Sequence, residues 1–140
     1  MTRTDATQMR TIYHRIHDKL KPILAALGDN DYVKMESTGF MDLHINRLYT
    51  PVNGAIRISL AHNYLQNGDN MADPDMEIRI YPELEMAEAM TFQQDGGIPI
   101  YQTVYRWDNG MKFVNNKLKK ELNNFLNFWL GNIKKQGFFK

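Results

Sequence analysis

The sequence of 140 residues contains no cysteine, which excludes disulfide bonds, thiolate metal sites and cysteine nucleophiles. Serine is also scarce, since Ser37 and Ser59 are the only two, and neither lies in a Gly-x-Ser-x-Gly motif. The pair Gly96 and Gly97 fits neither of the common glycine-rich phosphate-binding motifs, GxxxxGK[ST] and GxGxxG. The standard motifs for nucleotide binding and for serine or cysteine catalysis are therefore missing.

The chain also lacks a long apolar run. No stretch approaches the roughly 18 consecutive apolar residues of a membrane span. The opening residues, MTRTDATQMR, have no apolar core of the kind found in signal peptides. Hydrophobic residues make up 43% and charged residues 24% of the sequence, as in ordinary soluble globular proteins. We therefore expect a single domain over residues 1–140, cytoplasmic and without a membrane partner.

The net charge is only +1, but the charges are unevenly distributed. Residues 111–140 hold seven lysines against one acid, which gives +6, and residues 62–95 hold eight acids against one arginine, which gives −7. The lysines of the C-terminal segment alternate with asparagines, as on the solvated face of an amphipathic helix. Nucleic acid is therefore not expected as a partner, although a nucleic-acid-related interaction through this basic helix is an alternative.

Residues 9–27 have the periodicity of an amphipathic helix, with apolar side chains every three or four positions. Asp5 and Gln8 fit a helix cap, and Gly28 fits a helix stop. Pro22 lies inside the pattern and predicts a kink or a break in the turn before it, because proline cannot donate the helical hydrogen bond.

After this helix the apolar period changes to two, which is typical of half-buried strands. About five strands are predicted, around residues 41–45, 56–60, 76–80, 86–93 and 100–105. The sequence Asp108-Asn109-Gly110 is predicted to end the sheet region, and a second amphipathic helix begins near Asn115. The predicted fold is α+β, an antiparallel meander of about five strands with both helices packed on one face.

Polar side chains are concentrated in residues 59–77, SLAHNYLQNGDNMADPDME, between two predicted strands. Such a segment is either an elaborate turn or a binding site, and the pattern alone does not decide. As a site, it would combine loop 62–75 with polar residues of the following strands. The candidate ligand or partner contacts are His62, Tyr64, Gln66, Asn67, Asp69, Asp73, Asp75, Gln94, Asp95 and Tyr101.

The acids of this segment do not predict a metal site. Asp69, Asp73 and Asp75 could offer oxygen atoms to calcium or magnesium, but Gly68 precedes them, whereas an EF-hand loop has its glycine in the centre. No metal and no cofactor is predicted.

His62 is the main candidate for a catalytic base, because it is predicted to end a strand at the acidic loop, where a carboxylate could tune its titration. A small hydrolase or transferase with His62 as general base and a nearby aspartate is therefore an alternative. His14 and His17 stand three residues apart on the first helix, lack the further ligands that zinc needs, and are predicted to lie at the surface.

Four stretches of the chain resemble a known family. They are ISLAHNYLQNGDNMADPDMEIRIYP, TFQQD, IYQTVY and LKKELNNFLNFWLGNIKKQGF, and they lie within residues 58–138. They resemble short bacterial, phage and plasmid proteins grouped as a domain of unknown function, most distinctively in the pair QNGD and DPDM and in the C-terminal NxFLxxWL pattern. A second uncharacterised bacterial family is more distantly similar. The resemblance implies a single cytosolic domain and supplies no activity.

The favoured function is a non-enzymatic binding or accessory protein, because polar groups are abundant without a catalytic set. Loop 62–75 and the adjoining sheet face would contact a small molecule or a protein partner. A homodimer is also open, since Tyr81, Tyr101 and Tyr105 could lie on a sheet face that the helices leave uncovered.

Overall fold

The computed structural model describes residues 10–48 and 54–139. A helix at each end encloses a block of strands, so the predicted α+β class is confirmed. The elements are α1 Ile12–Leu27, β1 Tyr32–Met35, β2 Leu43–Leu48, β3 Ile56–Gln66, β4 Asp69–Tyr81, a 3-10 turn Pro82–Leu84, β5 Met86–Ala89, β6 Thr91–Gln94, β7 Ile100–Thr103, β8 Tyr105–Asp108, β9 Met111–Val114 and α2 Asn116–Lys135.

Helix α1 is capped by Thr11, whose side chain accepts the Tyr13 N–H, while His14 Nδ1 accepts the Thr11 N–H at 3.0 Å. These bonds satisfy donors that the first helical turn leaves unpaired. The predicted cap of Asp5 with Gln8 lies outside the described residues. The helix continues through Pro22 without a break.

The predicted stop at Gly28 is confirmed. This residue has φ +56° and donates its N–H to the Leu24 carbonyl at 2.9 Å. The positive φ suits glycine, which has no side chain to collide with the backbone.

The strands form an antiparallel sheet in the order β1-β2-β3-β4-β6-β7, and β5 pairs with β4 beside β6. Within residues 10–48 and 54–139 the sheet has seven strands, more than the five predicted, because β1 joins its edge and the segment 86–94 is divided at Met90. Asp108-Asn109-Gly110 does not end the strands. It connects β8 to β9, which form a separate two-stranded hairpin.

Residues 59–77 lie in the two longest strands, so the predicted polar loop 62–75 is wrong. Gln66 pairs with Asp69, which leaves a two-residue turn of Asn67 and Gly68 with φ +54° and +86°. Asn-Gly is favoured in such turns because both central residues need a positive φ. The polar side chains are therefore displayed along a β-hairpin.

A β-bulge interrupts this hairpin near its middle. Ala61 pairs with Asp75 and Asn63 with Ala72, so that Asp73 and Pro74 together oppose His62. The Asp73–Pro74 peptide bond is cis. Because a bulge bends the strand and re-aims its side chains, residues on the two sides of it belong to differently oriented parts of the sheet.

The core lies between the inner face of the sheet and the buried stripes of both helices. On β3 and β4, the pairs Ile58–Ile78 and Leu60–Met76 face the helices, and the intervening residues face outward. Among residues 10–48 and 54–139, no helix combines the length and the hydropathy that crossing a bilayer requires.

The free edge of β5 is covered by α2. The Ala89 N–H donates to Asn123 Oδ1 at 2.8 Å, and Asn123 Nδ2 donates to the Lys119 carbonyl at 2.7 Å. Asn123 is 1% exposed. A helix side chain therefore takes the place of a neighbouring strand, as sheet edges require.

Candidate functional site

His62 lies on the inner face of β3 and is only 7% exposed. Its Nδ1 donates to the main-chain carbonyl of Asp42 at 3.2 Å, and its ring lies 5.6 Å from the Trp129 ring and 5.8 Å from the Phe138 ring. Burial lowers the pKa of His62, with the carbonyl bonds acting in the opposite direction. Its hydrogen-bond partner among the described residues is a carbonyl and not a carboxylate, so His62 has the setting of a core residue.

The two histidines of α1 were predicted to lie at the surface, and the structure places them differently. His14 belongs to the cap of α1, and His17 is buried, with its Nδ1 3.7 Å from an Asp18 carboxylate oxygen. The prediction that both lie at the surface is therefore wrong for His17.

Asp95 forms hydrogen bonds to β4 beside the β-bulge. Its Oδ2 accepts the Ala72 N–H at 2.8 Å, its own N–H donates to the Ala72 carbonyl at 3.0 Å, and its Oδ1 accepts from the Gln93 side chain at 3.0 Å. The hydrogen bond from Ala72 and then that from Gln93 lower the pKa of Asp95 because both favour the carboxylate. Both oxygens of this predicted site residue are thus engaged within the protein.

The residues at the tip of the hairpin do not converge with the rest of the predicted site. Gln66 and Asp69 flank the two-residue turn, Asn67 lies in it, and all three are exposed. Tyr64 turns its hydroxyl toward the backbone of Gly96, where a Cβ atom would lie 2.7 Å from that oxygen. Asp73 lies in the bulge.

Two of the predicted residues share a row on the outer face. Asp75 pairs with Gln93, and Gln93 pairs with Tyr101, which is 64% exposed. The predicted Gln94 follows Gln93 and therefore faces the opposite side of β6. Burial, and then the charges of Glu77 and Asp95, raise the pKa of Asp75.

A group that sequence reasoning missed lies between the outer face of β3–β4 and the hairpin β8–β9. These residues enclose a cleft of about 220 Å³ that we call the cationic cleft. It is lined by Arg57, Arg79, Met90, Thr103, Tyr105, Trp107 and Lys112.

Two arginines form one wall of the cationic cleft. Arg57 and Arg79 are directly opposite each other in the β3–β4 register. Like charges in this position destabilise a sheet. Glu77 offsets part of the repulsion, since its Oε1 accepts from Arg57 Nε at 3.0 Å and lies 2.8 Å from Arg57 Nη2. Among the described residues, no carboxylate lies within 4.0 Å of the Arg79 guanidinium.

The hairpin supplies the opposite wall, where aromatic rings and a third cation meet. Lys112 Nζ lies 4.4 Å from the centre of the Tyr105 ring, a cation–π contact. Trp107 is 69% exposed. On the other side of the hairpin, the Arg106 guanidinium lies 4.6 Å from the centre of the Phe113 ring. The cleft therefore combines positive charge with an open indole face.

The sequence carried only a weak signal for this cleft. Arg57 and Arg79 are separated by most of the hairpin, and Lys112 follows a turn predicted to end the sheet. Arg57 and Arg79 each appear in the sequence as an ordinary outward-facing strand residue. Their proximity depends on the pairing register and on where the hairpin β8–β9 lies.

In the described part of the chain, no group of three or more His, Asp or Glu side chains could hold a metal ion. A family model described as "Domain of unknown function (DUF6908)" matches residues 11–139. Comparison with curated proteins and with solved structures found no match. The matched range includes α1, α2 and strands β1 to β9, and therefore the whole of the cationic cleft.

Proposed function

The chain belongs to this family of unknown function, DUF6908, and we propose that it is a non-enzymatic binding protein whose cationic cleft holds an anionic ligand with a planar ring. The observation that carries the proposal is the alignment of Arg57 and Arg79 in register, facing Lys112, with Glu77 as the acid bonded to Arg57. Without a ligand, Glu77 beside Arg57 and Glu88 opposite Arg79 offset part of the repulsion between these cations, and a bound anion would offset more of it.

The chemistry of the cations favours phosphate or carboxylate. The planar guanidinium of arginine donates paired hydrogen bonds that match the oxygens of either group. Glu88 pairs with Arg79 in the β4–β5 register, but no described carboxylate lies within 4.0 Å of the Arg79 guanidinium, which can therefore still bind an anion. Lys112 adds a point charge on the hairpin side of the cleft.

The ring of the ligand would lie against Trp107. An exposed indole offers a flat apolar face, and stacking of an aromatic ring on such a face stabilises binding by about 1–3 kcal/mol in nucleic-acid complexes. A nucleotide, either free or within a single strand, combines a phosphate with a ring and so matches both walls of the cleft.

The non-enzymatic part of the proposal rests on His62. This candidate base is buried between Trp129 and Phe138 and bonded to a main-chain carbonyl, far from the arrangement that general base catalysis needs. The outer row of Asp75, Gln93 and Tyr101 extends the same sheet face beyond the cleft. Asp75 is four residues from Arg79 along β4, or about 13 Å.

Binding is tested by titrating the protein at low salt with ADP, with a short oligo-dT and with poly-glutamate while tryptophan fluorescence is recorded. We expect ADP or oligo-dT to quench the fluorescence, and added salt to weaken binding. Trp107→Phe should remove most of the quenching. Arg79→Ala and Lys112→Ala should each weaken binding roughly tenfold or more, because each removes a charge-assisted bond.

The matched control is Lys117→Ala, which removes an exposed lysine from α2 outside the cleft. It should bind like the unchanged protein. The proposal fails if no probe binds, or if Arg79→Ala and Lys112→Ala bind as well as the control. Equal binding of poly-glutamate and oligo-dT would show that charge alone is recognised and would refute the role of the ring.

A further inference from the structure

A second cavity, of about 200 Å³, lies at the corner where α1, β5, the 3-10 turn and α2 meet. We call it the corner pocket. Its lining residues are Tyr13, Tyr81, Leu84, Met86, Ala87, Glu88 and Lys119. The pockets of drug-sized ligands start at about 300 Å³. The corner pocket therefore suits a small metabolite.

One end of the corner pocket holds a carboxylate. Glu88 is 9% exposed, and its Oε2 accepts from the Tyr81 hydroxyl at 2.6 Å. Its Oε1 accepts from the Tyr105 hydroxyl. Burial and then the bond to Glu88 raise the pKa of each tyrosine, which keeps both phenols protonated as donors. A carboxylate has more acceptor positions than these two phenols fill.

An ammonium group faces this carboxylate. Lys119 Nζ lies 3.9 Å from Glu88 Oε1, which is an ion pair beyond hydrogen-bond distance. The Tyr105 hydroxyl, more than the opposing effect of burial, raises the pKa of Lys119, and the charge of Glu88 adds to this, so the amine is cationic. The two opposite charges therefore lie side by side, and each can form further bonds.

The rest of the lining is apolar. Leu84, Met86 and Ala87 supply aliphatic surface, and the Tyr13 ring lies 5.6 Å from Lys119 Nζ. An apolar group placed here loses contact with water, which is favourable in proportion to the area covered.

From this juxtaposition we infer that the corner pocket binds a small zwitterion with an apolar side chain, that is, a free amino acid such as leucine. Its ammonium meets Glu88, its carboxylate meets Lys119, and its side chain covers Leu84 and Met86. A ligand with one charge matches only half of the pair, because an acid is repelled by Glu88 and an amine by Lys119. The zwitterion satisfies both.

This inference does not depend on the cationic cleft. The two cavities share no lining residue, although Tyr105 lines the cleft and bonds to Glu88 of the corner pocket. Because Arg79 pairs with Glu88 in the β4–β5 register, the two sites are separated with Trp107→Ala, which should weaken binding in the cleft and leave amino-acid binding intact. The two proposals can fail separately.

The test is calorimetric titration of the full chain with L-leucine, with isocaproate, which lacks the ammonium, and with isoamylamine, which lacks the carboxylate. L-leucine should bind, and each analogue should bind at least tenfold more weakly. L-leucine should also raise the unfolding temperature by an amount that grows with the logarithm of its concentration.

Lys119→Met should abolish leucine binding, while Lys120→Met, which changes the exposed neighbour on α2, should keep it. Leu84→Asp places a charge on the apolar wall at an exposed position and should also abolish binding without disturbing the core. The inference is overturned if the folded protein does not bind leucine, or if binding survives Lys119→Met. Isocaproate binding as tightly as leucine would show an anion site and would also overturn it.

Discussion

Replacing Asn123 with leucine tests how the fold protects the edge of β5. Asn123 is buried, and its Oδ1 accepts the Ala89 N–H at 2.8 Å. Leucine has a similar shape but no acceptor, so Asn123→Leu leaves the Ala89 N–H buried without a partner. The cost of an unsatisfied buried donor is about 1–3 kcal/mol.

The helix propensity of the new residue also contributes to the net change. Leucine has a higher helix propensity than asparagine, and this difference increases the free energy of unfolding by up to about 0.7 kcal/mol. The expected net loss in the free energy of unfolding is then about 1–2 kcal/mol. For a domain of this size, each kcal/mol shifts the midpoint by roughly 4 °C, so we expect the unfolding temperature to fall by roughly 4–8 °C.

Urea denaturation and thermal unfolding measure this loss, and amide hydrogen exchange locates it. The Ala89 amide should exchange faster in Asn123→Leu than in the unchanged protein. The control is Asn124→Leu, which makes the same replacement at the exposed neighbouring position and should stay within about 0.5 kcal/mol. Unchanged stability together with unchanged protection of the Ala89 amide would refute the reasoning.

Two further predictions concern the outer face and the β6–β7 connection. Asp75→Asn should raise the unfolding temperature at pH 7, because burial and the charges of Glu77 and Asp95 raise the pKa of Asp75 and make its ionised form destabilising. The difference in unfolding temperature should shrink as the pH falls through this raised pKa and should vanish below the ordinary value of 3.8. A difference that does not depend on pH would contradict this prediction. Gly96→Ala should cost about 1 kcal/mol in a urea titration, because the new Cβ would lie 2.7 Å from the Tyr64 hydroxyl oxygen and the half-buried Tyr64 side chain must shift. Tyr64→Phe should restore most of that loss in the double variant, and a failure to do so would place the strain elsewhere.

The helices and the central strands were predictable because each buries one face. Apolar stripes in α1 and α2, and alternation in residues 56–60 and 76–80, follow directly from packing on a common core. The far half of the β3–β4 hairpin was mistaken for a loop. Its residues 65–70 are exposed on both faces, so no alternation of apolar and polar residues marks the strands there.

The site was less predictable than the fold for two reasons. Side chains alternate between faces along a strand, so the candidate Gln94 lies on the opposite side of β6 from Gln93 and the outer row. The walls of the cationic cleft come from strands distant in sequence, and Arg57 meets Arg79 only because of the β3–β4 register. A sequence pattern reveals residue types that recur at a regular spacing within one segment. A contact between residues of two distant strands leaves no such regular spacing.

The Asn67–Gly68 turn also has a consequence for the order of folding. It joins the longest strand pairing of the sheet through a two-residue connection, so the entropy lost in closing that loop is small. The contact of Lys19 with Asn127, in contrast, joins positions 108 residues apart and closes most of the chain into a loop. Contacts between residues close in sequence cost less entropy and form earlier than contacts between distant residues. We therefore expect the hairpin to be structured in the folding transition state and the two helices to dock afterwards.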